Sequence, residues 1–329
     1  MFVQYPKVEV EDDRYLFAVG RIRALESKLL THHHWERMIE AENGVEVIRV
    51  LQDTSYGKYE ISDPSDFERM LIAVREDLYI LMEELLVDEE LLTTLRAFED
   101  FHNLKVLLKA QIEEIDVPKD ALFLHGNVSA NELQSLLEEE RYSALPMYLQ
   151  DAIGRALDAH LGKKDVAEAI DRSYIDFMLC APHPFIRVYF RLYVDLLNIS
   201  TILRQKRTDK PKPEYLVNGG FIPVQKIAHL PSESWEAIVE AYYPTPYYNV
   251  VNEGVQSLKQ KGTFLRFEKE RECYLLGFLK KVRLCTMGAE PVLAYYFWVR
   301  EEEKFLRLIM VAKVNGVPPD RIRERIPEM

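Results

Sequence analysis

Phe98-Glu-Asp-Phe-His-Asn-Leu-Lys-Val-Leu-Leu-Lys-Ala110 carries no reactive chemistry, but it returns. Tyr193-Val-Asp-Leu-Leu-Asn-Ile-Ser-Thr-Ile-Leu-Arg-Gln205 has the same shape, with Asp100 and Asn103 recurring as Asp195 and Asn198. Val299-Arg-Glu-Glu-Glu-Lys-Phe-Leu-Arg-Leu-Ile-Met-Val-Ala312 is a third, eroded copy, with Glu302 and Phe305 in those places. The shared pattern is an acid, two residues, Asn or Phe, then an apolar-rich helical run with one or two cations. A long-period repeat fixes the architecture before any local reading does.

A second landmark travels with the first. Trp35-Glu-Arg-Met-Ile-Glu-Ala41 matches Trp235-Glu-Ala-Ile-Val-Glu-Ala241, and Leu133-Gln-Ser-Leu-Leu-Glu-Glu139 is a weaker middle copy. From Trp35 to Asn103, Leu133 to Asn198 and Trp235 to Phe305 the separations are 68, 65 and 70 residues. Gly126-Asn-Val-Ser echoes Gly220-Phe-Ile-Pro, and Tyr-Pro-Thr-Pro-Tyr247 loosely echoes Asp-Thr-Ser-Tyr56. Two ordered landmarks at near-constant spacing imply a triplicated helical unit of about 105 residues. Ile115-Asp-Val-Pro-Lys-Asp120 and the charged, Pro-containing Arg207-Thr-Asp-Lys-Pro-Lys-Pro213 break the pattern. They set units at residues 1–118, 119–213 and 214–329.

Apolar positions near a period of 3.6 predict helices over 14–30, 131–140, 147–161, 166–179 and 185–206. Residues 31–41 and 45–51 carry helical spacing too. The stripe Phe67, Met70, Leu71, Val74, Leu78, Leu81 and Met82 opens a run from 64 through Leu91 into the opening motif, read as long helices paired as hairpins. The fold class is all-α. Only 13 glycines in 329 residues also speak against a nucleotide-binding α/β fold or a β-sandwich.

Net charge is −12, which argues against nucleic acid, since that partner needs a basic footprint. Cys180, Cys273 and Cys285 are odd in number and without CxxC spacing, so they read as reduced thiols. The acidic start, Met1 to Asp13, lacks the apolar stretch of a secretory signal. No apolar run reaches the length of a membrane span. No phosphate-binding loop, dinucleotide fingerprint, zinc-protease motif or nucleophile elbow is present. The expectation is therefore no catalytic residue, no cofactor and no metal. His32, His33 and His34 are adjacent, so on a helix they diverge by about 100° each and cannot converge on one ion.

Asp100 with Asn103, and Asp195 with Asn198, stand three residues apart and so share a helix face. Two readings follow: a polar surface for a partner, or buried hydrogen bonds that fix packing. Packing is the better expectation, because a polar residue recurring among apolar ones usually tunes packing. Trp35 and Trp235 read as core anchors. Arg271, Lys280, Lys281 and Arg283 form a basic segment in an acidic chain, a solvated face or a contact for an acidic or lipid-headgroup partner. Tyr242-Tyr-Pro-Thr-Pro-Tyr-Tyr248 reads as an aromatic loop.

Together, Tyr15-Leu-Phe-Ala-Val-Gly-Arg-Ile-Arg-Ala-Leu-Glu26, Asp53-Thr-Ser-Tyr-Gly57, Phe101 to Ala110 and Phe305 to Ile322 give the whole chain a resemblance. It resembles the C subunit of the V-type (archaeal-type) ATPase/ATP synthases, the counterpart of the eukaryotic d subunit. Phe305-Leu-Arg departs from the family's usual Asn-Leu-Arg. The resemblance implies three related helical lobes with pseudo-threefold symmetry, forming a funnel with a central socket. It implies a non-catalytic central-stalk part on the cytoplasmic face of the membrane, peripheral to it. Its partners would be the D and F subunits of the axle and the rotor ring of proteolipid c/K subunits, and it would couple ATP turnover to proton or sodium passage. The competing reading is a helical-repeat scaffold or adaptor, which predicts more and shorter repeats of about 35 to 45 residues.

Overall fold

A computed structural model describes residues 11–61, 63–118, 121–208 and 212–327. Among these the chain is helical throughout, with no strand. Residues 1–10, and parts of both boundary segments at 119–120 and 209–211, lie outside the described residues, so the reading of the N-terminal stretch is left there. The chain divides into two compact units, one of Met1–Val87 with Leu192–Met329, the other of Asp88–Arg191.

The second unit holds α5 (Glu89–Glu113), α6 (Ala130–Glu138), α7 (Met147–Leu161) and α8 (Val166–Leu179). Helix α9 (Pro184–Gln205) begins in this unit and ends in the other. Ser129 caps α6 by accepting the Glu132 N–H, and Asp165 caps α8 by accepting those of Ala167 and Glu168. One side of each helix meets a single core of Phe101, Leu104, Leu108, Leu133, Leu149 and Ile153. Phe101 lies edge-on to Tyr174 at 5.4 Å between ring centroids. Truncating a fully buried leucine here, such as Leu133 or Leu149, would cost about 2–5 kcal/mol.

The other unit contains α1 (Leu16–Glu26), α2 (His32–Glu40), α3 (Gly44–Gln52) and α4 (Phe67–Leu85) from the start of the chain. From its end come α10 (Trp235–Ala241), α11 (Tyr248–Lys261), α12 (Leu265–Lys281), α13 (Glu290–Val314) and α14 (Pro319–Arg323). Helix α13 is apolar on nearly every side because α1, α3, α4 and α12 all pack on it. Its buried Glu303 has a partner: Arg75 of α4 ion-pairs with it. Burial opposes ionisation of Glu303, but Arg300 and Arg75 outweigh it and hold the carboxyl below its usual range.

Three local readings are sharpened. Helices α2 and α3 are separate, because Ala41 leaves helical geometry and Asn43 caps a new start by accepting the Val45 and Glu46 N–H groups. His34 Nδ1 accepts the Thr31 N–H, closing the cap of α2. The run expected from 64 through Leu91 is two helices. Leu86 and Asp88 adopt extended dihedrals, and Glu89 and Glu90 then favour a fresh helix N-terminus. The aromatic loop is divided: Tyr242 and Tyr247 are buried in the core, and Tyr243 is exposed.

Candidate functional site

Asp100, Asn103 and Glu99 are fully buried on α5. Asn103 is bonded twice to one residue. Its Nδ2 donates to the Phe123 carbonyl at 2.9 Å and its Oδ1 accepts the Phe123 N–H at 2.7 Å. Asp100 accepts the N–H groups of Asn127 at 3.1 Å and Val128 at 3.0 Å, together with the Tyr148 hydroxyl at 2.6 Å. Val128 immediately precedes Ser129, the cap of α6. The pair on α5 therefore clasps the incoming chain at two points and fixes where α6 starts. Such a clasp fills the carboxylate with charge-assisted bonds, the strong kind.

The same clasp recurs on α9. Asn198 Nδ2 donates to the Val217 carbonyl and Oδ1 accepts the Val217 N–H, both at 2.8 Å. Asp195 accepts the N–H groups of Phe221 and Ile222 at 3.0 Å each, and the Tyr247 hydroxyl at 2.7 Å. Gly126 and Gly220 stand directly before these N–H pairs, each pressed against the Asp.

On α13 the clasp is reduced. Glu302 accepts the Leu30 N–H at 2.9 Å and the Tyr56 hydroxyl at 2.8 Å. Leu30 precedes Thr31, the cap of α2, as Val128 precedes Ser129. Only one backbone donor is available, because the Leu29 N–H is bonded to Glu26 O at 3.3 Å. Lys28 occupies the place of the glycine, and buried Phe305 that of the Asn. Burial pushes Glu302 up to about 7, against the opposing pull of its bonds from Tyr56 and Leu30. Burial, and then the neighbouring carboxyl, likewise push the Tyr56 and Tyr148 hydroxyls up, so both remain donors.

Sequence reasoning paired Tyr56 with Tyr247 but missed Tyr148, which has no Asp-Thr-Ser or Pro-Thr-Pro before it. Counted from the clasp, Trp35 follows the cap of α2 by four residues and Leu133 follows the cap of α6 by four. The corresponding position after Pro223 is Ile227, and all three are buried. Trp235 instead opens α10 behind its cap Ser234 and is half-buried. Arg271 pairs with Glu272 at 2.5 Å, away from the exposed Lys280, Lys281 and Arg283.

The clasps hold structure and leave no acceptor facing a substrate. A cleft of about 500 Å³ between α1, α4 and α13 is lined by Tyr56, Tyr59, Tyr295 and Glu302, with Lys58 and Asp77 at its edge. Lys58 pairs with Asp77, which also accepts the Tyr59 hydroxyl at 2.7 Å, so its polar groups are bonded among themselves. Among the described residues no group of three or more His, Cys, Asp or Glu is placed to hold a metal ion.

The family described as ATP synthase (C/AC39) subunit matches residues 18–325. This chain belongs to the C/AC39 family. The similarity extends along whole relatives. The C subunit of the V-type sodium ATPase of Enterococcus hirae is 24% identical over 322 residues, covering 94% of this chain and 96% of that protein. The C subunit of the A-type ATP synthase of Methanocaldococcus jannaschii is 23% identical over 353 residues, covering 98% and 88%. That of Pyrococcus abyssi is 22% identical over 339 residues, covering 96% and 90%. The C/AC39 family is a non-catalytic subunit of V/A-type ATP synthases. No helix of this member, among the described residues, is long and apolar enough to cross a membrane.

Proposed function

We propose that this C/AC39 family member is a torque coupling. It joins the rotor axle, made of the D and F subunits, to the membrane ring of proteolipid c/K subunits, and sits peripherally on the cytoplasmic face. In this reading residues 1–118, 119–213 and 214–329 are three related lobes around a socket that receives the axle. The observation that carries the reading is the clasp. An acid at the corresponding place, Asp100, Asp195 or Glu302, holds the chain just ahead of a helical start on another segment, and a transmitter of torque needs such fixed joints between helices. The family match along the chain supports the assignment to a rotary ATPase. The ion carried would be set by the ring. An acidic socket would meet basic axle residues and speed docking.

Reconstitution tests this. The purified chain is mixed with the D and F pair and, separately, with the detergent-solubilised ring. Stoichiometric complexes with both are expected, the axle complex weakening as salt rises. Capture of soluble partners alone, without ring or stalk, would favour the scaffold reading.

A further inference from the structure

The end of α12 and the turn into α13 form a surface that the coupling role leaves unused. Lys280, Lys281 and Arg283 lie there with exposed side chains. Leu284 projects at 83% exposure and Met287 at 42%. From Cys273 to Ala289 the chain has no Asp or Glu, and among the described residues none of the three cations has an ion-pair partner. Upstream on the same helix both arginines are paired, Arg266 with Glu270 at 2.9 Å and Arg271 with Glu272.

The tip is held in shape. Arg23 donates to the carbonyls of Val282 at 2.9 Å and Cys285 at 2.7 Å, and the Gly288 N–H is bonded to Asp12 O at 3.1 Å. Lys280 and Arg283 lie over the Trp298 ring at 5.5 and 6.0 Å from its centroid. Both cationic ends are thereby anchored on one ring. Little ordering entropy remains to be lost on contact.

We propose that this tip, Lys280 to Met287, is a docking surface for anionic phospholipid headgroups, with Leu284 entering the acyl boundary. Cations surrounding an exposed apolar side chain are the chemistry of a peripheral membrane contact. A projecting apolar residue suits a deformable interface better than a folded acidic partner. The net charge of −12 disfavours general adsorption to an anionic membrane, so contact depends on a local cationic patch such as this one. The inference goes beyond the coupling role and does not rest on it.

The test uses the full chain and protein-free vesicles, so its failure leaves the coupling role untouched. Co-sedimentation is measured with phosphatidylcholine vesicles carrying about 30% phosphatidylglycerol, and with neutral vesicles. Binding to the anionic vesicles alone, abolished by high salt, is expected. Lys280→Gln, Lys281→Gln and Arg283→Gln should each weaken it about fivefold. Leu284→Ala should weaken it about tenfold, while Lys280→Arg with Lys281→Arg should retain it. Lys163→Gln with Lys164→Gln, on the α7–α8 turn, should leave it unchanged; circular dichroism checks that every variant folds. Equal binding to neutral vesicles, or parent-like binding by the variant that combines Lys280→Gln, Lys281→Gln and Arg283→Gln, would overturn the proposal. So would capture of the tip by a poly-glutamate peptide without vesicle binding.

Discussion

Gly220 leaves the space of its missing side chain to Asp195: a Cβ placed there would stand 2.1 Å from the Asp195 Oδ1. Gly126 stands in the same relation to Asp100, at 2.3 Å. Neither glycine has a positive φ, so the requirement is room and not backbone freedom. The carboxylate must approach the peptide closely enough to accept two successive N–H groups. Gly220→Ala would push apart a carboxylate locked by three bonds, at a cost of about 1–3 kcal/mol. Urea denaturation should show the loss, with Gly20→Ala as the contrasting variant. Gly20 has open space where its Cβ would be, and a mid-helix alanine there should stabilise by about 0.5–1 kcal/mol.

The Asn members of the clasp allow a graded prediction. Asn198→Leu strands the N–H and carbonyl of Val217, which is buried, whereas Asn103→Leu strands those of the half-buried Phe123. An unsatisfied buried polar group costs about 1–3 kcal/mol. The α9 variant should therefore lose more thermal stability than the α5 variant. Stability unchanged in both would transfer these residues to a partner surface.

Removing a single hydroxyl separates the strong clasps from the reduced one. Tyr247→Phe leaves Asp195 with two backbone donors, but Tyr56→Phe leaves Glu302 with a single backbone donor, Leu30. The first should cost about 1 kcal/mol near neutral pH and the second more. Parallel chemical denaturation of the two variants measures the difference.

Glu302 also predicts a pH dependence of definite sign. Its folded pKa of about 7 stands above its ordinary 4.5, so the folded chain binds the proton more tightly than the unfolded chain. This contribution is full below 4.5 and is lost as pH rises through about 7. The raised pKa corresponds to roughly 3 kcal/mol across that window. Glu272 and Glu303 act oppositely: burial resists their charge, but their cations win, and their contribution is lost as pH falls. Glu302→Gln should remove only the first trend. Denaturation from pH 5 to 8 should show parent and variant converging or crossing as pH falls; parallel curves would refute the assignment.

The helices were legible because apolar spacing alone places them, and the Asp–Asn repeat was legible because it recurs at one spacing. The clasp itself was not. Its donors are backbone N–H groups far along the chain, such as those of Asn127 and Val128, and a backbone group leaves no mark in a sequence. Tyr148 was hidden because the third position of each clasp floats on turns of different length. Trp235 misled because an indole and an alternating acid pattern resembled Trp35, though its helix starts from a different cap. The break before α5 escaped notice because Leu86 and Val87 continue the apolar spacing and only Asp88 signals a new start.

The three clasps also differ in when they can form. Asp195 and Ile222 are 27 residues apart and Asp100 and Val128 are 28 apart, but Glu302 and Leu30 are 272 apart. Closing the longer loop costs about 2 kcal/mol more in chain entropy. During synthesis the start of α2 must wait, without its acid, until α13 has left the ribosome. Helices α2 and α3, made well before it, would then settle late, and a chain truncated before α13 would leave them without the partner that fixes their place.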